Sequence, residues 1–148
     1  MKLHRPPLAA FAAVALILVA DQAAKLAIGG VRARLPYHVF DHVRIEYVHN
    51  TGMSFSLFTG HAWVFTLLSS LISLALAAAL VLAPRRYALG VALILGGSLG
   101  NLVDRFRLGY VLDFVGVYSW PTFNVADVAI VAGAALLVLA VLRRPAQP

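Results

Sequence analysis

Four long apolar stretches dominate this sequence and constrain its fold more than any other feature. They cover roughly residues 8–28, 62–83, 88–106 and 123–142. Each is close to the ~20 residues that an α-helix needs to cross a hydrocarbon core of ~30 Å. Together they use most of the 148 residues, and the mean hydropathy of +0.87 is far above that of an ordinary soluble domain. We therefore predict one integral membrane domain, residues 1–148, built on four transmembrane α-helices.

The first stretch also has features of a secretory signal, because the charged segment MKLHRPPL precedes it. No small-x-small cleavage site ends the apolar run, and the pattern continues through Asp21 and Lys25. We therefore interpret this stretch as a membrane helix.

The connection between the first two helices, residues 29–61, is too long for a simple turn and contains a strand pattern. In HVRIEYV, residues 42–48, apolar Val43, Ile45 and Tyr47 alternate with other side chains, which is the period of a strand with one buried face. The sequence thus predicts a small β-rich platform on the outer membrane surface. Aromatic side chains are expected to anchor it at the interface: Tyr37, Phe40, Tyr47, Phe55, Phe58 and Trp63.

The basic residues predict the orientation in the membrane, because lysine and arginine concentrate in short cytoplasmic segments. The twelve basic residues divide evenly between the two sides. Six lie in three short segments directly against the helix ends, one of which is the tight turn APRRY at residues 83–87. We therefore predict a multi-pass protein with both termini in the cytoplasm. These six are Lys2, Arg5, Arg85, Arg86, Arg143 and Arg144, and the others are Lys25, Arg32, Arg34, Arg44, Arg105 and Arg107.

All acidic residues fall at the outer side or its boundary, namely Asp21, Asp41, Glu46, Asp104, Asp113 and Asp127. Any chemistry that uses carboxylates is therefore expected there. The net charge of +6 requires no nucleic-acid partner, because basic clusters at helix ends suit anionic membrane phospholipids. The chain has no cysteine, which excludes thiol nucleophiles, disulfides and cysteine-ligated metals.

Polar residues close the outer ends of the third and fourth apolar stretches. Asn101, Asp104 and Arg105 are spaced i, i+3 and i+4, so they share one helix face. Asn124 and Asp127 are three residues apart and share a face in the same way. Two polar faces at one depth are expected to face each other, because either alone would meet lipid.

Asp113 is the only acid in the connection between these two helices, and it lies fourteen residues before Asp127. Gly116 and Pro121 allow the chain to turn back, so the two carboxyl groups can meet. Two close carboxyl groups in a poorly solvated site do not both ionise easily, which supplies one general base and one general acid. A water held between them could then hydrolyse an amide without a covalent intermediate. The asparagines could orient the carboxyl groups or bind substrate backbone.

The same acids also allow a purely structural interpretation. Asp104, Asp113 and Asp127 are candidates for ion pairs with Arg105 and Arg107. Asp127 is in addition placed to stabilise the start of a helix through the helix dipole.

Two further pairs have simple interpretations. Asp21 and Lys25 are one helical turn apart, which predicts an ion pair at the interface. His38 and His42 have a one-turn metal spacing, but they lie in strand-like sequence and no HExxH motif is present. No G-x-S-x-G motif indicates a serine nucleophile. The sequence therefore predicts no metal and no other cofactor.

Five motifs together resemble the bacterial lipoprotein signal peptidase family, signal peptidase II. They are DQAAK at 21–25, NTGMSFS at 50–56, GGSLGNLVDR at 96–105, GYVLDF at 109–114 and FNVADVAI at 123–130. The resemblance covers nearly the whole chain, and the last three motifs occur in the order and approximate spacing of the family.

The resemblance implies an aspartic endopeptidase of the bacterial cytoplasmic membrane, with four transmembrane helices, a periplasmic β-cradle and a second small outer-surface element. It implies that Asp113 and Asp127 form the catalytic dyad. The expected substrate is a diacylglyceryl-modified prolipoprotein cleaved before its lipidated cysteine, and we expect the enzyme to be a monomer. The residues expected to shape or support the substrate site are Asp21, Lys25, Asn50, Gly52, Gly97, Asn101, Asp104, Arg105 and Asn124.

Some positions depart from the family pattern. Met53 and Ser54 follow the NTG turn where small residues are usual, the loop at 115–122 looks short, and Val128 stands where a serine is common. These departures affect the expected contacts of the lid and the access of substrate. They leave the expected chemistry unchanged.

Two other classes of function use some of the same features. A proton- or ion-coupled transporter also carries intramembrane acids, but it would place them near the bilayer midplane and often shows inverted repeats, which are not evident in this sequence. A non-enzymatic lipid-binding or chaperone protein would tolerate Asp-to-Asn changes, because these alter shape and packing little.

Overall fold

The structure is a computed structural model that describes residues 7–52 and 62–143. Within these residues, four helices are long and apolar enough to cross a membrane, as the sequence predicts. Phe55 and Phe58, two of the predicted anchors, lie outside the described residues, as do Met53 and Ser54. The helices are α1 (Leu8–Gly30), α2 (Ala62–Leu82), α3 (Arg85–Leu108) and α4 (Val125–Leu142).

Helix α3 is the centre of the bundle and contacts each of the other three helices. Glycines allow this close approach. A side chain at Gly97 would collide with the backbone carbonyl of Ala126 in α4, and a β-carbon at Gly100 would lie 2.6 Å from Asp21 Oδ2 in α1. The small residues of GGSLG therefore bring α1 and α4 against one stretch of α3, as close packing through glycine requires.

The two ends of the bundle differ in charge. All six acids lie toward one end, called here the acidic end, and Arg85, Arg86 and Arg143 lie at the other, the basic end. A cluster of buried hydrophobic side chains toward the basic end forms the apolar core. Its members are Ala10, Leu80, Ala88, Val91, Ala92 and Leu95.

A three-stranded antiparallel sheet, in the order β1-β2-β3, lies at the acidic end. The predicted platform between the first two helices is confirmed, and it contains β1 and β2. The third strand, β3, was not predicted, because it follows α3 in a segment interpreted only as a connection. Its residues Val111 to Phe114 are all buried, so the strand shows no alternation of apolar and polar residues. The strands are β1 (Tyr37–Phe40), β2 (Val43–Asn50) and β3 (Val111–Val117).

Some predicted boundaries were wrong by a few residues. Helix α3 begins at Arg85 and not at residue 88, because Pro84 is its N-cap and leaves only a short turn after α2. Helix α4 begins at Val125, two residues later than predicted, because the side chain of Asn124 caps it. The predicted anchors Tyr37, Phe40 and Trp63 are exposed.

Candidate active site

The sheet and the start of α4 bring Asp113 and Asp127 into one site. Asp113 in β3 lies opposite Val48 of β2. Val48 is two residues before Asn50 in the same strand. Asp113 is only 2% exposed. Asp127 lies in the first turn of α4, where its side chain and that of Asn124 form a reciprocal capping box. The structural interpretation of Asp127 as a helix cap is therefore correct, and the cap lies inside the site.

Each of the four carboxylate oxygens of this pair accepts a hydrogen bond from an amide. Asp113 Oδ1 accepts from Asn124 Nδ2 at 2.7 Å, and Asp113 Oδ2 accepts from Asn50 Nδ2 at 2.8 Å. Asp127 Oδ1 accepts from Asn101 Nδ2 at 2.9 Å, and Asp127 Oδ2 accepts from the backbone N–H of Asn124 at 3.1 Å. Asn124 therefore contacts both carboxyl groups and links them.

The orientation of all three side-chain amides is fixed by a hydrogen bond to the oxygen of each. The oxygen of Asn50 accepts from the N–H of Gly52 at 2.8 Å, where Gly52 has a left-handed φ of 81°. The oxygen of Asn124 accepts from the N–H of Asp127 at 3.0 Å. The oxygen of Asn101 accepts from Lys25 Nζ at 3.1 Å. Because backbone N–H and ammonium groups only donate, each amide must direct its NH₂ group at a carboxylate.

Lys25 lies in a buried cage of three acceptors. Its ammonium is 2.7 Å from Asp21 Oδ2, 2.8 Å from Asp104 Oδ2 and 3.1 Å from Asn101 Oδ1, which matches its three N–H donors. The predicted ion pair between Asp21 and Lys25 is confirmed, but it is buried and includes Asp104. The suggested pairing of Asp104 with Arg105 or Arg107 is wrong, because α1 packs closely on α3 and brings Lys25 to the carboxylate.

This cage holds the elements that carry the pair. Asp21 Oδ1 accepts from the N–H of Ala126 in α4 at 3.0 Å, and Asp104 Oδ2 accepts from the N–H of Leu112 in β3 at 3.0 Å. Gln22, which the sequence analysis did not single out, donates to Asp104 Oδ1 at 3.0 Å and to the carbonyl of Gly100 at 3.1 Å. Its signal in the sequence is a second polar residue beside Asp21 in an apolar run. We call the buried set Asp21, Lys25, Asn101, Asp104, Asp113 and Asn124 the polar core.

The pKa of Asp113 reflects its position between buried strand residues and a second carboxyl group. Burial, the largest cause, and the charge of Asp127 together raise this pKa from 3.8 to about 6, against the opposing hydrogen bonds from Asn50 and Asn124. The carboxyl group therefore holds its proton to a higher pH than an ordinary aspartate does. This is the behaviour expected of one member of a pair that shares a proton.

Arg105 is placed beside the polar core and not in it. Its guanidinium donates to the carbonyl of Asn101 at 3.3 Å. Arg105 also lines two clefts, one between α2 and α3 and the other between α2, α3 and α4. One cleft is bordered by Trp63 and Phe106, and the other by Ile72 and Ile130. Both are mainly apolar, so an extended or helical peptide could lie along them with a polar backbone near Arg105.

The two histidines with metal-like spacing lie in a strand and a turn, and not on one face of a helix. His38 lies in β1, and His42 stacks on the ring of Tyr118 at 4.1 Å. Among residues 7–52 and 62–143, no group of three or more His, Asp or Glu side chains is arranged to hold a metal ion.

Comparison with known sequences identifies the family of this chain. The sequence profile of Signal peptidase (SPase) II matches residues 13–143. The chain belongs to the signal peptidase II family. It is therefore a bacterial membrane protein of a protease family, in agreement with its four apolar helices.

Several relatives carry the name lipoprotein signal peptidase. That of Rhodococcus jostii (strain RHA1) is 39% identical over 148 aligned residues, which cover 94% of this chain and 75% of that protein. That of Moorella thermoacetica is 46% identical over 96 residues, which cover 63% of this chain and 64% of that protein. That of Mycobacterium tuberculosis (strain ATCC 25618 / H37Rv) is 43% identical over 107 residues, which cover 67% of this chain and 52% of that protein. The matches thus extend over about half to three quarters of these relatives.

Two solved structures share the fold. Both are described as a bacterial membrane enzyme determined by the in meso method, at 1.9 and 2.3 Å resolution. The first has a TM-score of 0.86 at 23% identity and covers 98% of this chain and 99% of its own. The second has a TM-score of 0.83 at 21% identity, and the match covers 100% of this chain and 99% of the other. At these identities the likeness concerns the fold alone.

Proposed function

We propose that this protein is an aspartic endopeptidase that removes the signal peptide from diacylglyceryl-modified prolipoproteins, cleaving before the lipidated cysteine. Asp113 and Asp127 are the catalytic residues. The observation that carries the proposal is the set of oriented amide donors on all four carboxylate oxygens, at the acidic end of a membrane bundle. Such a pair is suited to sharing one proton, because two close carboxyl groups do not both ionise readily.

The chemistry needs only the pair and one water. The ionised carboxylate takes a proton from the water, whose oxygen forms a bond to the peptide carbonyl carbon, while the protonated carboxyl group donates its proton to the carbonyl oxygen. The resulting tetrahedral diol then loses the amine: the C–N bond breaks, and the nitrogen takes a proton from the carboxyl group that first accepted one. One of the two hydroxyl protons of the diol returns to the other aspartate, and the second stays on the new carboxyl group. The fixed amides hold both carboxyl groups in place through these steps.

The position of the pair suits a substrate anchored by lipid. Asp127 lines an apolar groove of about 450 Å³ on the lipid-facing side of α4, together with Trp120, Phe123, Val128 and Val131. A diacylglyceryl-modified cysteine can therefore approach Asp127 with its acyl chains still among apolar side chains. We place the site at the extracytoplasmic face of the cytoplasmic (inner) membrane, with both termini in the cytoplasm, and expect a monomer surrounded by membrane phospholipids.

The remaining predicted site residues have roles in this proposal that follow from their contacts. Asn50, Asn101 and Asn124 orient the carboxyl groups, and the cage around Lys25 holds the elements that carry them. Arg105 lies beside the peptide clefts and is expected to bind substrate backbone. Gly97 and Gly52 permit, respectively, the packing of α4 on α3 and the turn that fixes Asn50.

The test is cleavage of a diacylglyceryl-modified prolipoprotein by the purified protein in detergent, followed by gel shift. We expect Asp113→Asn and Asp127→Asn each to reduce the rate by several orders of magnitude, because each removes one proton carrier. The matched control is Asp41→Asn, an exposed acid in the turn between β1 and β2, which should cleave like wild type. Cleavage at the wild-type rate by either folded dyad variant, or no cleavage by wild type, would refute the proposal.

A further inference from the structure

The proposed chemistry uses only the acidic end, and the basic end carries a second, unrelated surface. There α3 and α4 enclose a groove of about 370 Å³. The backbone of Gly90 forms part of its lining, since glycine contributes no side chain. The other lining residues are Arg86, Leu89, Leu136, Leu139, Ala140 and Arg143.

The body of this groove is apolar and open to the membrane. Leu89, Leu136 and Leu139 are 51%, 37% and 45% exposed, and all three belong to membrane-spanning helices. A polar solute would gain no hydrogen bond from these side chains. An acyl chain would fill the groove without exposing apolar surface to water.

The mouth of the groove has the opposite character. Arg86 lies in the first turn of α3 and Arg143 at the C-cap of α4, so both guanidiniums are at the head-group level of the membrane. The guanidinium carbon of Arg86 lies over the ring of Tyr87, 4.7 Å from the ring centroid. Every aspartate and glutamate lies toward the acidic end, so within residues 7–52 and 62–143 no side-chain carboxylate pairs with these two arginines.

We propose that this groove is a binding site for one anionic phospholipid. Its phosphate lies between the guanidiniums of Arg86 and Arg143, and one of its acyl chains lies along Leu89, Leu136 and Leu139. Arginine is well suited to phosphate because its planar donors bind two oxygens at once. The bound lipid joins the start of α3 to the end of α4 and so fastens the basic end of the two helices that carry Asn101, Asp104 and Asp127.

Native mass spectrometry of the full chain in detergent can test this inference. The protein is mixed with equal amounts of palmitoyl-oleoyl phosphatidylglycerol and palmitoyl-oleoyl phosphatidylcholine, whose acyl chains are the same. Wild type should retain phosphatidylglycerol preferentially. The double variant Arg86→Gln/Arg143→Gln should lose about 25-fold in relative affinity, because each of the two basic residues is worth about fivefold.

Two comparisons make the result specific to the groove. The double variant Arg34→Gln/Arg85→Gln removes the same charge from arginines that do not line the groove, and it should keep the wild-type preference. Ala140→Phe fills the groove without changing the charge and should also reduce retention of phosphatidylglycerol. Equal losses in both arginine doubles, unchanged retention in Ala140→Phe, or no preference in wild type would each overturn the proposed site.

Discussion

The two buried cores of this bundle are held together by different forces. Toward the basic end the apolar core contains only hydrophobic side chains, and at the acidic end the polar core contains carboxylates, asparagines and a lysine. Lipid is as apolar as these side chains, so packing and not exclusion from water holds the apolar core. The polar core depends on directed hydrogen bonds and ion pairs between specific atoms. Substitutions are therefore expected to be costly at the acidic end and mild at the basic end.

The strongest test of this contrast is Lys25→Met. It leaves Asp21 and Asp104 buried without a cation, which is expected to cost about 3–5 kcal/mol of unfolding free energy. The measurement is thermal unfolding in detergent followed by circular dichroism. Arg107→Met is the control, because its exposed guanidinium donates a hydrogen bond to Gln22 at 3.2 Å, and its loss should cost less than about 1 kcal/mol. Equal shifts in the two variants would show that the cage does not stabilise the bundle.

A second change separates orientation from stability within the polar core. Asn101→Asp keeps an acceptor for Lys25 but replaces the NH₂ donor to Asp127 with a second carboxylate oxygen. We expect cleavage of the prolipoprotein to fall about 100-fold, as for loss of one oriented donor, while the protein stays folded. Gln22→Glu makes the same chemical change in a residue that contacts neither dyad carboxylate, so its rate should fall less. A larger loss in Gln22→Glu would contradict the role of Asn101 as an orienting residue.

The dependence of stability on pH provides a third test. The raised pKa of Asp113 means that this carboxyl group binds its proton more tightly in the folded protein than in the unfolded chain, between pH 3.8 and about 6. The free energy of unfolding should therefore fall as pH rises through this window, by roughly 2–3 kcal/mol. Thermal unfolding from pH 4 to 7 should show this decrease in wild type and not in Asp113→Asn. Parallel curves for the two proteins would mean that Asp113 is not the group responsible.

The smallest effect is expected in the apolar core. Leu95→Ala leaves a cavity, but its unfolded reference is a helix still in lipid, so most of the transfer cost seen in soluble proteins is absent. We expect a loss of about 1 kcal/mol in thermal unfolding and an unchanged cleavage rate. A loss in Leu95→Ala as large as in Lys25→Met would remove the distinction between the two cores.

Much of the site could be predicted because it is built on helical spacing. Asn101, Asn124 and Asp127 lie on helix faces whose polar character is visible at i, i+3 and i+4, and the need to hide two such faces from lipid predicts that they meet. The structure does bring them together through hydrogen bonds. Asp127 also shows why the two interpretations of one acid could not be separated in the sequence, since it caps α4 and faces the shared site at once.

The parts that could not be predicted depend on contacts between distant segments. The choice of Lys25 over Arg105 as the partner of Asp104 follows from the packing of α1 on α3, which spacing along α3 does not contain. Strand β3 is buried along its first half, so its period is hidden, and only its pairing with β2 identifies it. Gln22 was missed because an uncharged amide beside Asp21 and Lys25 is a weak signal.

The double role of Asn124 couples the formation of α4 to the assembly of the carboxyl pair. The same side chain caps α4 and donates to the carboxyl group of Asp113 in β3, so one residue determines both where the helix begins and how the second aspartate is held. A chain in which α4 has not formed therefore carries both aspartates without the amide that links them.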